Sequence, residues 1–142
     1  MRIYVAAKFE EKERVKALYD ALEKAGHQIT HKWIGEDASG LVGEALKSYL
    51  RTQADRDVEG VVSCDVLVLL PHEKGRGLYV ELGVALAFVK PVVAVGSLES
   101  APNCIFLTTD EVVWVEEDED VVPALYLLEG CQPKVLQVAR GG

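Results

Sequence analysis

A chain of 142 residues, 49% of them apolar, is long enough for one compact domain with a substantial core. Its apolar runs are strand-sized, and none reaches the roughly 18 residues of a membrane span. A net charge of −8 argues against general binding of nucleic-acid backbones, but not against a small anion held by backbone amides and one or two local cations.

The elements follow in chain order. "RIYVAA" (Arg2 to Ala7) is β-rich and apolar, and predicts a central first strand. The segment "MRIYVAAKF" is too short and too quickly charged for a signal peptide. In "EEKERVKALYDALEKAG", Val15, Leu18, Tyr19 and Leu22 fall at helical spacing, and Gly26 is a natural C′ stop. "HQITHKWI" alternates like a half-buried second strand, and "GEDASG" is loop chemistry. "LVGEALKSYL" and "QADRDVEGVVSC" read as two helical stretches, the second with Asp55 or Asp57 near its start. "DVLVLL" is a continuous apolar run, as expected for a strand covered on both faces.

"PHEKGRG" is a loop, "LYVELGVALAFVK" a buried helix and "PVVAVG" another buried strand. "SLESAPN" is a loop and "CIFLTT" is ambiguous. "VVWVEE" predicts a strand and "DEDVVPALYLLEG" a closing helix, with Pro123 in its first turn or two. "CQPKVLQVARGG" has no clear period. The expected organisation is one domain over residues 1–130 and a C-terminal tail over 131–142.

Alternating strands and helices imply a parallel sheet between two helical layers. The expected fold is α/β: a three-layer α/β/α, flavodoxin-like, doubly wound sheet of five parallel strands in the order 2-1-3-4-5. Such sheets bind ligands at the carboxyl ends of the strands, where the strand order reverses. That rule selects "AAKF" after the first strand and "PHEKGRG" after the third.

Glu81 lies in the first turn or so of the helix after the third strand. A helix N-terminus favours a carboxylate as the anion, which suits a nucleophile and a plain capping residue alike. Gly75 and Gly77 permit tight turns and close approach of a ligand, or form an ordinary turn. The helix carrying Asp57 runs antiparallel to the third strand, so its N-terminal end lies on the same rim as Glu81. Asp55 shares that argument but reads better as a helix-start residue. Tyr4, in the first strand, is either core or a partner for the Glu81 carboxylate. Two carboxyls and a tyrosine around a pocket suggest glycosidic chemistry. Trp33 is either a base-stacking ring or, more commonly for a strand tryptophan, core.

His27 and His31 read as strand surface, and no metal or cofactor is expected. Cys64, Cys104 and Cys131 are widely spaced without CxxC, as in a reduced cytoplasmic protein without structural zinc.

"RIYVAAKF", "ADRDVEGVVSCDVLVLL" and "GRGLYVELGVALAFVKPVVAVG" together resemble the nucleoside 2-deoxyribosyltransferase family, which includes the Rcl-type deoxynucleoside 5′-monophosphate N-glycosidases. The resemblance covers roughly residues 1–96 and is carried by the order and spacing of these pieces. It implies that Glu81 is the nucleophile toward the anomeric carbon. By the same likeness, Asp57 assists departure of the base or orients the sugar, and Tyr4 positions the glutamate. It places Gly77 beside the sugar or its phosphate; Ala7, Lys8, Gly75 and Arg76, on the two loops at the rim, are the further candidate substrate contacts.

It also implies a homodimer or higher homo-oligomer acting on a small nucleoside or nucleotide; by charge and apolar-run length, neither a nucleic-acid polymer nor a membrane is expected as partner. Rcl-type enzymes grip the phosphate with Gly-Ser and a nearby Arg; here Ala6, Ala7, Lys8, Phe9 and Glu10 stand in that place, with Lys8 as the candidate cation, joined by Lys74 or Arg76. Transferases of the family use an asparagine near the C-terminus, whereas the one asparagine here is Asn103, which favours water as the acceptor. Two alternatives stay open: a non-catalytic nucleotide-binding module of the same fold, and an enzyme processing NAD or ADP-ribose.

Overall fold

The computed structural model describes residues 1–99 and 103–130. Five parallel strands form one sheet in the order β2-β1-β3-β4-β5: β1 (Arg2–Ala6), β2 (Gln28–Ile29), β3 (Val66–Leu69), β4 (Val92–Val95) and β5 (Val112–Val115). The connecting helices are α1 (Lys12–Lys24), α2 (Gly43–Ser63) and α3 (Gly77–Ala87), and residues 121–130 form α4. The expected flavodoxin-like strand order and three-layer arrangement hold. β1, β3 and β4 supply the centre of the core; all of Val66–Leu69 and Ile3–Ala6 are fully buried. α1 ends as expected, with Ala25 as the cap and Gly26 following at φ 92°, a conformation that favours glycine.

Two elements differ from the sequence reading, and both differences shape the site. The second strand is only two residues long, pairing Arg2 with Gln28 and Ile3 with Ile29. Beyond it Thr30 N–H donates to Ile3 O at 2.9 Å, and the next free acceptor on β1, Val5 O, is taken by Trp33 Nε1–H at 2.7 Å. The indole thus satisfies the exposed edge of β1 in place of a longer strand. Trp33 itself sits in a short 3₁₀ turn, Trp33–Gly35, and is 6% exposed.

The two helical stretches after it are one continuous helix of 21 residues, because nothing between Leu50 and Gln53 breaks it. Asp57 is therefore not near a helix start. It still reaches the expected rim. Six residues of helix from Asp57 to Ser63 rise about 9 Å, close to the roughly 10 Å length of a four-residue strand. α2 simply continues past the sheet for several further turns.

The ambiguous "CIFLTT" is a 3₁₀ turn at Ile105–Thr108. Arg14 of α1 holds Asp118 through two parallel N–H···O bonds of 2.6 and 2.8 Å, joining α1 to the start of the closing helix. The proposed tail 131–142 lies outside the described residues.

Candidate active site

A cavity of about 310 Å³ opens at the carboxyl ends of β1 and β3, the point where the strand order reverses. Its walls include Tyr4, Ala7, Lys8, Asp57, Gly75, Arg76, Gly77 and Glu81, so these candidates of the sequence reading line one cavity. Lys74 lines it too, whereas Asp55 is exposed and outside it.

Tyr4 is fully buried at the cavity floor. Its ring is held by close packing against α2: a Cβ on Gly60 would lie 2.9 Å from Tyr4 Cδ2 and 3.0 Å from His31 Cβ. Glycine at 60 is what lets α2, and hence Asp57, approach β1. The Tyr4 hydroxyl faces both Glu81 and Asp57, yet its oxygen, Glu81 Oε2 and Asp57 Oδ1 are each buried without a well-formed hydrogen bond. Burial and the two carboxyls drive the tyrosine pKa far above its usual range, so its proton is retained.

Glu81 is the fifth residue of α3, beyond the first turn, and the helix start has no side-chain cap. Burial works against the ionising effect expected of the helix N-terminus. Desolvation pushes the Glu81 pKa up to about 8; the Tyr4 hydroxyl opposes this, while Asp57 and Glu36 add to it. Asp57 is also raised, first by burial and then by Glu36, against the lowering effects of His31 and Tyr4. The two central carboxyls thus both bind protons more tightly than free side chains do.

Gly75 closes a turn, its N–H donating to His72 O at 3.1 Å. Gly75 has no positive φ; its service is steric, since a Cβ there would lie 2.2 Å from Leu78 Cδ2. Gly77 is closest to the chemistry, with the Glu81 Oε1 atom 3.9 Å from where its Cβ would be.

Two residues on the rim escaped the sequence reading. His31 is not strand surface: it is half-buried, with Nε2 2.7 Å from Glu36 Oε1 and 3.5 Å from Asp57 Oδ1. Glu36 lines the cavity. The available signal was position, because both follow β2 and so belong to the carboxyl rim. Reading 27–34 as a full strand hid it. Among the described residues, His31, Glu36 and Asp57 form the one group whose possible metal-ligand atoms lie within 4.8 Å of one another, although His31 Nε2 is already engaged by Glu36.

Lys8, Lys74 and Arg76 bring positive charge to the cavity, with Lys8 Nζ 3.8 Å from Glu10. Chemically, the arrangement offers an electrophile two carboxyls on one side of the cavity and offers an anion three cations.

No protein-family model and no curated protein matches this chain in sequence. Its fold is similar to that of the CMP N-glycosidase BcmB of Clostridium botulinum, at a TM-score of 0.59 and 20% identity, covering 88% of this chain and 98% of that one. It is also similar to that of the 2-deoxyribosyltransferase of Bacillus psychrosaccharolyticus, at a TM-score of 0.57 and 20% identity, covering 86% of this chain and 90% of that one. Over nearly its full described length, the chain has the fold of these two proteins.

Proposed function

We propose that this protein is an enzyme that cleaves the N-glycosidic bond of a small nucleoside or nucleotide, with Glu81 as nucleophile. The observation that carries the reading is the pairing of Glu81 and Asp57 around the buried hydroxyl of Tyr4, at the floor of a cavity rimmed by Lys8, Lys74 and Arg76. The fold it shares with a CMP N-glycosidase and a 2-deoxyribosyltransferase supports the same class of reaction.

In the first step a Glu81 carboxylate oxygen bonds to the anomeric carbon as the bond from that carbon to the base nitrogen breaks. Asp57, whose raised pKa keeps a larger fraction protonated, gives its proton to the leaving base. In the second step water attacks the anomeric carbon, the glycosyl–Glu81 ester breaks, and the water's proton passes to Asp57. Tyr4 remains protonated throughout, and its hydroxyl, facing Glu81, lowers the carboxylate's basicity. Lys8, Lys74 and Arg76 would receive a 5′-phosphate. Ala7, Gly75 and Gly77 line the sugar's approach.

The test is chromatographic: incubation with a panel of nucleosides and 5′-monophosphates, with and without an acceptor base, followed by assay for free base. Glu81→Ala is expected to abolish release, and Asp57→Asn to lower it about 10²–10⁴-fold, the usual worth of a general acid. A Glu81→Ala protein releasing base at the wild-type rate would overturn the mechanism.

A further inference from the structure

We propose that Gln53 reads the base, holding an amino-bearing nucleobase of the adenine or cytosine type in a second cavity that adjoins the catalytic one. The proposal rests on the glycosidic reading for the class of ligand and on separate geometry for the residue. The second cavity, of about 390 Å³, shares Phe9 and Glu36 with the first. Gln53 and Asp57 stand four residues apart on α2, so their side chains leave the same face one turn from each other. A sugar with its anomeric carbon between Glu81 and Asp57 can therefore extend its base toward Gln53.

Gln53 is unusual in its own right. It is 9% exposed and lines this cavity, and its Oε1 is buried without a hydrogen-bond partner. A buried acceptor left unpaired is destabilising until a donor reaches it. The nearby carboxylate of Glu36 also only accepts, and Asp37 Oδ1 already accepts from Ser39 N at 2.8 Å. The cavity also carries the hydroxyls of Ser39, which donates to Asp37, and of Tyr49, which accepts from Asp37 N; it is the pair of acceptors Gln53 Oε1 and Glu36 that favours a base edge rich in N–H. An exocyclic amine provides two such hydrogens, for Gln53 Oε1 and Glu36. The unprotonated ring nitrogen beside the amine accepts from Gln53 Nε2, the same amide pairing by which glutamine recognises adenine in nucleic acids. A dioxo pyrimidine would turn carbonyl oxygens toward the same pair. Phe9, 52% exposed and shared by both cavities, offers a flat apolar face for the ring.

The experiment is calorimetric titration of the full chain with free cytosine against uracil, and adenine against hypoxanthine, in wild type and Gln53→Met. The methionine keeps the length and apolar bulk of the side chain but removes the amide. Wild type is expected to bind the amino base about tenfold more tightly than its oxo counterpart, and Gln53→Met to reduce that ratio to about twofold or less. Equal affinities in wild type, no binding of any of the four bases, or a preference unchanged by Gln53→Met would overturn the proposal. The wild-type comparison needs no variant and decides the matter even if Gln53→Met fails to fold. A parallel base-release assay on deoxycytidine and deoxyuridine separates the two claims. A binding preference without release rejects the glycosidase and supports the base site. Release without a preference does the reverse.

Discussion

At the scale of single residues, the informative fact is that Glu81 is uncomfortable as an anion. With its pKa pushed up to about 8 by burial, it is mostly protonated at neutral pH in the free protein. A nucleophile must be ionised, so the rising limb of kcat/KM is expected to inflect near 8, while loss of the Asp57 proton, needed by the leaving base, sets a falling limb. Removing the Tyr4 hydroxyl takes away the one neighbour that lowers this pKa, so Tyr4→Phe should move the inflection to higher pH. A pH–rate profile of both proteins checks this, and an inflection that stays in place would remove Tyr4 from its positioning role.

The same shift has a consequence for stability. The folded state holds the Glu81 proton more tightly than the unfolded chain, whose glutamates titrate near 4.5. This group's contribution is therefore fully present below about 4.5 and lost as pH rises through about 8. Glu81→Gln, which cannot ionise, should gain stability over wild type as pH increases across that window. Urea unfolding at acid and alkaline pH measures it, and a constant difference between the two proteins would refute it.

At the scale of elements, the site depends on how closely α2 lies on β1. Gly60→Ala would place a methyl 2.9 Å from the Tyr4 ring and 3.0 Å from His31 Cβ, both near the sheet, where little can yield. A loss of about 1–3 kcal/mol is expected, as for overpacking. Activity should fall further than stability alone explains, because Asp57 lies one turn along the same helix. Gly83→Ala on α3 is the control. Its new methyl meets nothing within 4 Å, and helix propensity predicts a gain of about 0.5–1 kcal/mol. Thermal or urea unfolding with a parallel base-release assay distinguishes the two; equal effects would mean that the contact of α2 with Tyr4 is not what matters.

At the scale of the whole molecule, a net charge of −8 repels any phosphate in solution, while Lys8, Lys74 and Arg76 create a local exception at the cavity. Replacing Lys74 and Arg76 together by Ala should raise KM for a 5′-monophosphate several-fold and leave the corresponding nucleoside nearly unaffected. Added salt should shrink the difference, since exposed charges are screened over about 10 Å at 0.1 M. Steady-state kinetics at two ionic strengths tests it, and equal effects on both substrates would place the phosphate elsewhere.

The sequence by itself determined the alternation of strands and helices. From that came the strand order, the reversal point and the two loops that reach it, because buried parallel strands are legible as apolar runs and crossovers obey few rules. Tyr4, Asp57 and Glu81 could be named because Tyr4 lies in the strand beside the reversal point and the two carboxyls on helices that reach the rim, and because their surroundings resemble a known family. Only the tertiary structure decided the protonation of Glu81, since desolvation depends on everything packed around a group and not on its place in a helix. Only it revealed that β2 stops after two residues, where an indole takes over the edge of β1 and brings His31 and Glu36 to the rim. And only it connected Gly60 to Tyr4 and Gln53 to a second cavity. Those relations join residues distant in the chain, and no local pattern encodes them.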